Sequence, residues 1–140
     1  MSNLLVSVEW KDNLRFVARN ERGQSTEINA TVAEGKARGI TPMELLIMAL
    51  GGCTAIDVVN ILQKQREELT HLTVEVSGER KDEPPRSFHK IHVQYSVEGR
   101  DLEETKVQRA IKLSEEKYCS VRATLMGSIT FTSSYRIAEK

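Results

Sequence analysis

The chain has 140 residues, with 39% apolar and 29% charged side chains, and its twenty basic residues balance twenty acidic ones. That length suits one domain and can bury about two thirds of the surface that the unfolded chain exposes. The balanced charge removes the electrostatic case for nucleic acid or an anionic membrane as the main partner.

The first nine residues, Met1 to Glu9, carry no basic stretch followed by an apolar one. They do not read as a signal peptide, and the chain reads as cytosolic. Leu4, Val6 and Val8 alternate with Leu5, Ser7 and Glu9, which is strand periodicity. Lys11-Asp12-Asn13 is a turn signal, and Leu14 to Ala18 reads as the returning strand of a hairpin. Glu21 to Gln24 is a second turn, and Ser25 to Ala30 a third strand. Gly35 to Gly39 reads as a polar loop.

Thr41-Pro42-Met43-Glu44 is a helix start: Thr41 caps, Pro42 suits the first helical position, and Glu44 completes a capping box. The predicted helix runs to about Glu67 or Glu68. Its apolar residues recur on almost every side until Gln63, which predicts enclosure of the first four turns all round. A chain this short has trouble enclosing such a helix alone, so two copies should shelter each other. Glu44, Gly51-Gly52 and Asp57 break the run and argue against a membrane span. Leu72 to Gly78 and His89 to Val97 read as a second hairpin across an exposed Lys81 to Ser87 turn. Asp101 to Lys117 reads as an amphipathic helix with Leu102, Val107, Ala110, Ile111 and Ser114 toward the core. A helical turn at Ser120 to Met126 and a strand at Gly127 to Ile137 complete an α+β fold with mainly antiparallel pairing.

The two cysteines carry the chemistry. Cys53 follows two glycines inside the long helix, and Cys119 follows the second helix. They are too far apart in the chain for a CxxC pair or a short metal motif. His89 and His92 point to opposite faces of their strand and do not chelate one ion together. Two thiols on separate helices are what a thiol peroxidase uses, one to attack and one to resolve. Inert packing is the plain alternative, because free cysteine is among the most buried residue types. Each helical glycine costs roughly 1 kcal/mol relative to alanine, so Gly51-Gly52 should serve space beside Cys53 or close helix packing. Asp57 lies one turn from Cys53 on the same face. Its charge would oppose a Cys53 thiolate, so an active Cys53 needs a cation, most plainly an arginine.

Pro42-x-Glu44-Leu45-Leu46 followed by Gly51-Gly52-Cys53-Thr54-Ala55-Ile56-Asp57-Val58-Val59 resembles the first signature of the OsmC/Ohr peroxidases. Lys117-Tyr118-Cys119-Ser120-Val121 resembles their second cysteine motif, and the likeness is closest to the OsmC-like redox-protein subgroup. The resemblance implies an intertwined homodimer, with antiparallel sheets wrapped around two long central helices. It implies that Cys53 attacks an organic hydroperoxide or hydrogen peroxide and becomes a sulfenic acid, and that Cys119 closes a disulfide with it. A dithiol, a lipoyl group in related members, then reduces that disulfide, and no metal, haem or other cofactor takes part. The resemblance also implies an arginine from the N-terminal hairpin near the thiolate, for which Arg15 fits best, then Arg19, then Arg38. A glutamate at the start of the long helix orients that arginine. In the hydroperoxide-resistance branch it directly follows the proline, where this chain has Met43, so Glu44 is the substitute. A non-catalytic dimer that binds a small ligand or senses redox state on the same scaffold is the alternative reading.

Overall fold

The structure is a computed structural model and describes residues 2–140; Met1 lies outside them. Contacts group the chain into two units, one ending at Leu46 and the other Ile47–Lys140.

The first unit is an antiparallel meander of β1 (Val6–Asp12), β2 (Arg15–Asn20) and β3 (Ser25–Asn29). Asn13, in the left-handed region at φ 43°, turns β1 into β2. At the next turn the Asn20 carboxamide oxygen accepts the backbone N–H groups of Arg22 and Gln24. Trp10 pairs across the ladder with Phe16 but is 64% exposed, so it is not part of the core of the single chain. The predicted polar loop holds a miniature hairpin instead, β4 (Val32–Ala33) and β5 (Lys36–Ala37). Glu34 and Gly35 both have positive φ, as a two-residue turn of the hairpin type requires. Strands of two residues bury too little to leave an alternating pattern in sequence.

The helix α1 (Pro42–Lys64) begins in the first unit and continues through the second. It ends sooner than predicted because Arg66 turns left-handed, at φ 59°, and Glu68 already opens β6 (Glu68–Arg80). β7 (Phe88–Arg100) follows, then α2 (Glu104–Leu113), a π-helical turn at Ser114–Tyr118, α3 (Ser120–Leu125) and β8 (Thr130–Glu139). The strands lie in the order β6-β7-β8. β6 runs antiparallel to β7, whereas β8 runs parallel to it, a departure from the otherwise antiparallel pairing. The helical segment between β7 and β8 carries the chain back to the starting edge, which a tight hairpin cannot do.

The core of this unit joins one stripe of α1 (Leu50, Val58, Leu62) to β7 (Ile91, Val93, Tyr95, Val97) and α2 (Val107, Ala110, Ile111). Each such apolar side chain contributes about 1.5–3 kcal/mol on full burial. The enclosure predicted all around α1 does not occur within one chain. Leu46, Met48 and Ile56 remain exposed, Ile56 at 70%. By length and composition α1 could cross a membrane, yet its inward stripe is spent on the second unit's core.

Candidate functional site

Gly51 and Gly52 turn out to differ. A Cβ at Gly51 would lie 3.0 Å from Val76 Cγ2, so this glycine lets β6 approach the helix. At Gly52 nothing lies within 4 Å. The next residue, Cys53, is half-buried on α1, while Cys119 is only 4% exposed. Cys119 is delivered by the π-helical turn: its backbone N–H reaches back to the Ser114 carbonyl at 2.8 Å, and the chain then turns into α3. Such wide turns recur at functional sites because they re-aim a side chain without ending the helix. Cys119 caps α3, its Sγ accepting the Arg122 backbone N–H at 3.4 Å.

The two thiols are free, and Cys53 is a close enough neighbour of Cys119 to perturb its ionisation. Burial pushes the Cys119 thiol up to about 11, the Arg122 N–H works against that rise, and the neighbouring Cys53 and Asp57 add to it. A thiol at about 11 is ionised in roughly one molecule in a thousand at pH 8. Iodoacetamide at pH 8 should therefore label half-exposed Cys53 well before Cys119, as read by peptide mass spectrometry. Earlier labelling of Cys119 would invert the assignment of the open thiol.

Beside the cysteines runs a buried chain of polar groups from α1 through β7 to the π-helical turn. The Ser114 hydroxyl donates to Asp57 Oδ2 at 2.8 Å and lies 2.9 Å from Thr54 Oγ1. Thr54 Oγ1 is 2.8 Å from the Tyr95 hydroxyl, which donates to Glu115 Oε2 at 3.0 Å. Burial above all raises the Tyr95 phenol, keeping it a hydrogen-bond donor. Glu115 also accepts from Ser133 at 3.2 Å and pairs with the Arg122 guanidinium at 3.7 Å. Arg122 stacks over Phe131, 4.4 Å from the ring centroid. Next to this chain a cavity of about 460 Å³ opens at Asp57, with Ile61, Leu113 and Tyr118 as its apolar wall and Asn60, Lys64 and Gln65 as its polar one.

The OsmC-like protein family matches residues 34–134 of this sequence. The chain belongs to the OsmC-like protein family. It is 39% identical over 130 residues to protein YhfA of Escherichia coli, covering 93% of this chain and 95% of that one. Its structure superposes on a hypothetical protein from Aquifex aeolicus with TM-score 0.88 at 28% identity, covering 100% and 99% of the two chains. It also shares its fold with the organic hydroperoxide resistance protein OhrB of Bacillus subtilis. There the TM-score is 0.61 at 19% identity, with 96% and 98% covered.

The other two residues singled out in this OsmC-like sequence both lie in the first unit. Arg15 donates to Asp12 at 2.8 and 3.1 Å and to Glu27 at 3.1 Å, which holds its guanidinium charged at every ordinary pH. Glu44 makes the capping box: its Oε1 accepts from the Thr41 backbone N–H at 3.0 Å and hydroxyl at 2.9 Å. Those bonds hold its carboxyl below the usual range. Glu44 is thus bonded to Thr41, and the ion partners of Arg15 are Asp12 and Glu27, so among the described residues of the single chain Glu44 and Arg15 do not pair. Thr41→Ala should cost about 1 kcal/mol of stability and leave any thiol turnover within twofold. Glu44→Gln, which keeps an acceptor, should change neither. A large loss of turnover without loss of stability in Glu44→Gln would return a chemical role to the carboxylate.

Sequence reasoning missed Thr54, Tyr95, Ser114, Glu115 and Arg122. The one available signal was Ser114 on the inward face of an amphipathic helix, a polar group that needs a partner.

Proposed function

We propose that this protein is a thiol-dependent peroxidase that reduces organic hydroperoxides, with hydrogen peroxide as a poorer substrate. The observation that carries this reading is the adjacency of two free thiols, one half-exposed and one buried. Cys53 is the attacking sulfur. Its electron pair forms an S–O bond as the O–O bond breaks, leaving a sulfenic acid and an alcohol. Cys119, held as a thiol, condenses with the sulfenic acid, forming the disulfide and releasing water. A dithiol then reduces the disulfide and is itself oxidised to a cyclic or linear disulfide. Ile61, Leu113 and Tyr118, in the part-polar cavity at Asp57, offer apolar surface for an organic substituent on the peroxide. In this reading a cation favours the Cys53 thiolate, the role that the resemblance implies for Arg15.

The same reading takes the protein as a homodimer. Exposed Leu46, Met48 and Ile56 lie on α1, and Ile56 with Ala55, Val59, Leu69 and Leu72 lines an open groove of about 630 Å³. Monomers rarely leave such a face bare. The reading is tested by peroxide-dependent oxidation of dithiothreitol, with cumene hydroperoxide and hydrogen peroxide compared. Absence of turnover with both overturns it.

A further inference from the structure

Little apolar surface holds α3 to the rest of the chain. None of its six residues is buried, and only Val121, Arg122 and Leu125 are partly covered. Yet its first turn carries the donor that meets the buried thiol, the Arg122 backbone N–H at 3.4 Å from Cys119 Sγ. The side chain of the same residue is gripped twice. Its guanidinium lies 3.7 Å from Glu115 Oε2 and 4.4 Å from the centre of the Phe131 ring on β8. The Arg122 and Glu115 side chains are only 19% and 15% exposed, so water and salt screen this pair less than a surface one. Glu115 is itself fixed from the sheet: it accepts from fully buried Tyr95 of β7 at 3.0 Å and from Ser133 of β8 at 3.2 Å.

We propose that Arg122 is the positioning residue for Cys119: its guanidinium, gripped by Glu115 and Phe131, pins α3 to the sheet so that its backbone N–H holds the Cys119 sulfur in place for Cys53. The side chain touches neither thiol in this role. It acts through the backbone donor that it anchors.

The inference rests on the peroxidase reading for its chemistry. Once Cys53 is a sulfenic acid, the Cys119 sulfur attacks the Cys53 sulfur. An S–S bond forms, the S–O bond breaks, and the hydroxyl leaves with the Cys119 proton as water. The sulfenic sulfur is reduced and the Cys119 sulfur oxidised. Attack needs a sulfur held in line with the breaking bond and carrying negative charge. An N–H aimed at Cys119 Sγ serves both needs, since it fixes the sulfur's direction and favours the charged form. The preceding attack of Cys53 on peroxide uses neither α3 nor Cys119, so the two steps should respond differently to loss of the grip.

Arg122→Ala removes both grips and leaves the backbone N–H. Oxidation of Cys53 by one equivalent of cumene hydroperoxide should stay within about twofold of wild type, while disulfide closure should slow by about ten- to a hundredfold, the cost of a misplaced reacting group. Arg122→Lys keeps a cation beside Glu115 without the planar stack on Phe131, and its closure rate should fall between the two. A second readout needs no peroxide. In Cys53→Ala, the pH profile of iodoacetamide labelling at Cys119 should keep a high midpoint, because burial is the chief cause of the raised value. Adding Arg122→Ala should lower that midpoint towards the ordinary thiol value of about 8.5, as the loosened sulfur meets water. Closure at the wild-type rate in Arg122→Ala, or equal slowing of both steps, overturns the positioning role. Arg122→Lys no faster than Arg122→Ala overturns the part given to the Glu115 pair. If wild-type Cys53 does not react with peroxide at all, the peroxidase reading fails. The Cys119 profile then still decides the grip, a lowered midpoint upholding it and an unmoved one overturning it.

Discussion

Cys53→Ser should abolish dithiol-driven consumption of cumene hydroperoxide, by a factor on the order of a thousand or more. A serine hydroxyl in place of the thiol cannot form the sulfenic acid, and Cys119 does not substitute for it. Cys119 is 4% exposed and its thiol is pushed up to about 11, so it offers a peroxide neither access nor a thiolate. Cys119→Ser should behave differently. One equivalent of peroxide per chain is consumed at near the wild-type rate, and a Cys53 sulfenic acid persists long enough to be trapped by dimedone. Steady-state turnover then depends on direct attack of the external dithiol on that sulfenic acid and falls steeply at low dithiol. Equal activity in wild type and both variants would end the peroxidase reading. Loss of the first equivalent in Cys119→Ser but not in Cys53→Ser would exchange the two roles.

Ile56→Glu should convert a dimer to monomers with at least about a thousandfold weaker self-association. Ile56 is 70% exposed in the single chain and faces away from the core, so its replacement leaves the fold of one copy intact. In a twofold assembly each substitution occurs twice at one interface. Every copy then loses an apolar contact worth about 1.5–3 kcal/mol, and gains a carboxylate whose unpaired burial costs several kcal/mol more. Sedimentation velocity across a dilution series reads the change directly, with circular dichroism as the control for folding. A monomeric wild type would remove the homodimer from the account. A dimeric variant with unchanged affinity would move the interface off this face of α1.

The fold was readable where local chemistry decides it. Thr41 and Glu44 announce the start of α1 because both capping bonds join residues three apart. Val107, Ala110, Ile111 and Ser114 are all buried as their helical spacing requires. Alternation in β7 likewise marks Ile91, Val93, Tyr95 and Val97 for the core. The errors lie where an element's partner is chosen elsewhere. Strand periodicity in β8 carries no sign of its direction, because alternation is the same for parallel and antiparallel neighbours. The π-helical turn at Ser114–Tyr118 has the composition of an ordinary charged helix end. At Glu44 one side chain fits both a capping motif and the resemblance to a family site, and the bonds formed within the chain are the capping ones to Thr41.

The amino-acid sequence alone determined the element order apart from the miniature β4–β5 hairpin, the helix caps, the inward stripes and the two cysteine motifs. Each depends on neighbours within a few positions. Tertiary structure decided that Cys53 and Cys119 share one place, and that Thr54 meets Tyr95 and Ser114 at sequence separations of 41 and 60. A hydroxyl on an inward face must find a partner, but its identity depends on which distant segment packs there. Only the packing of α1 against β7 and the turn after α2 bring those oxygens within hydrogen-bonding range.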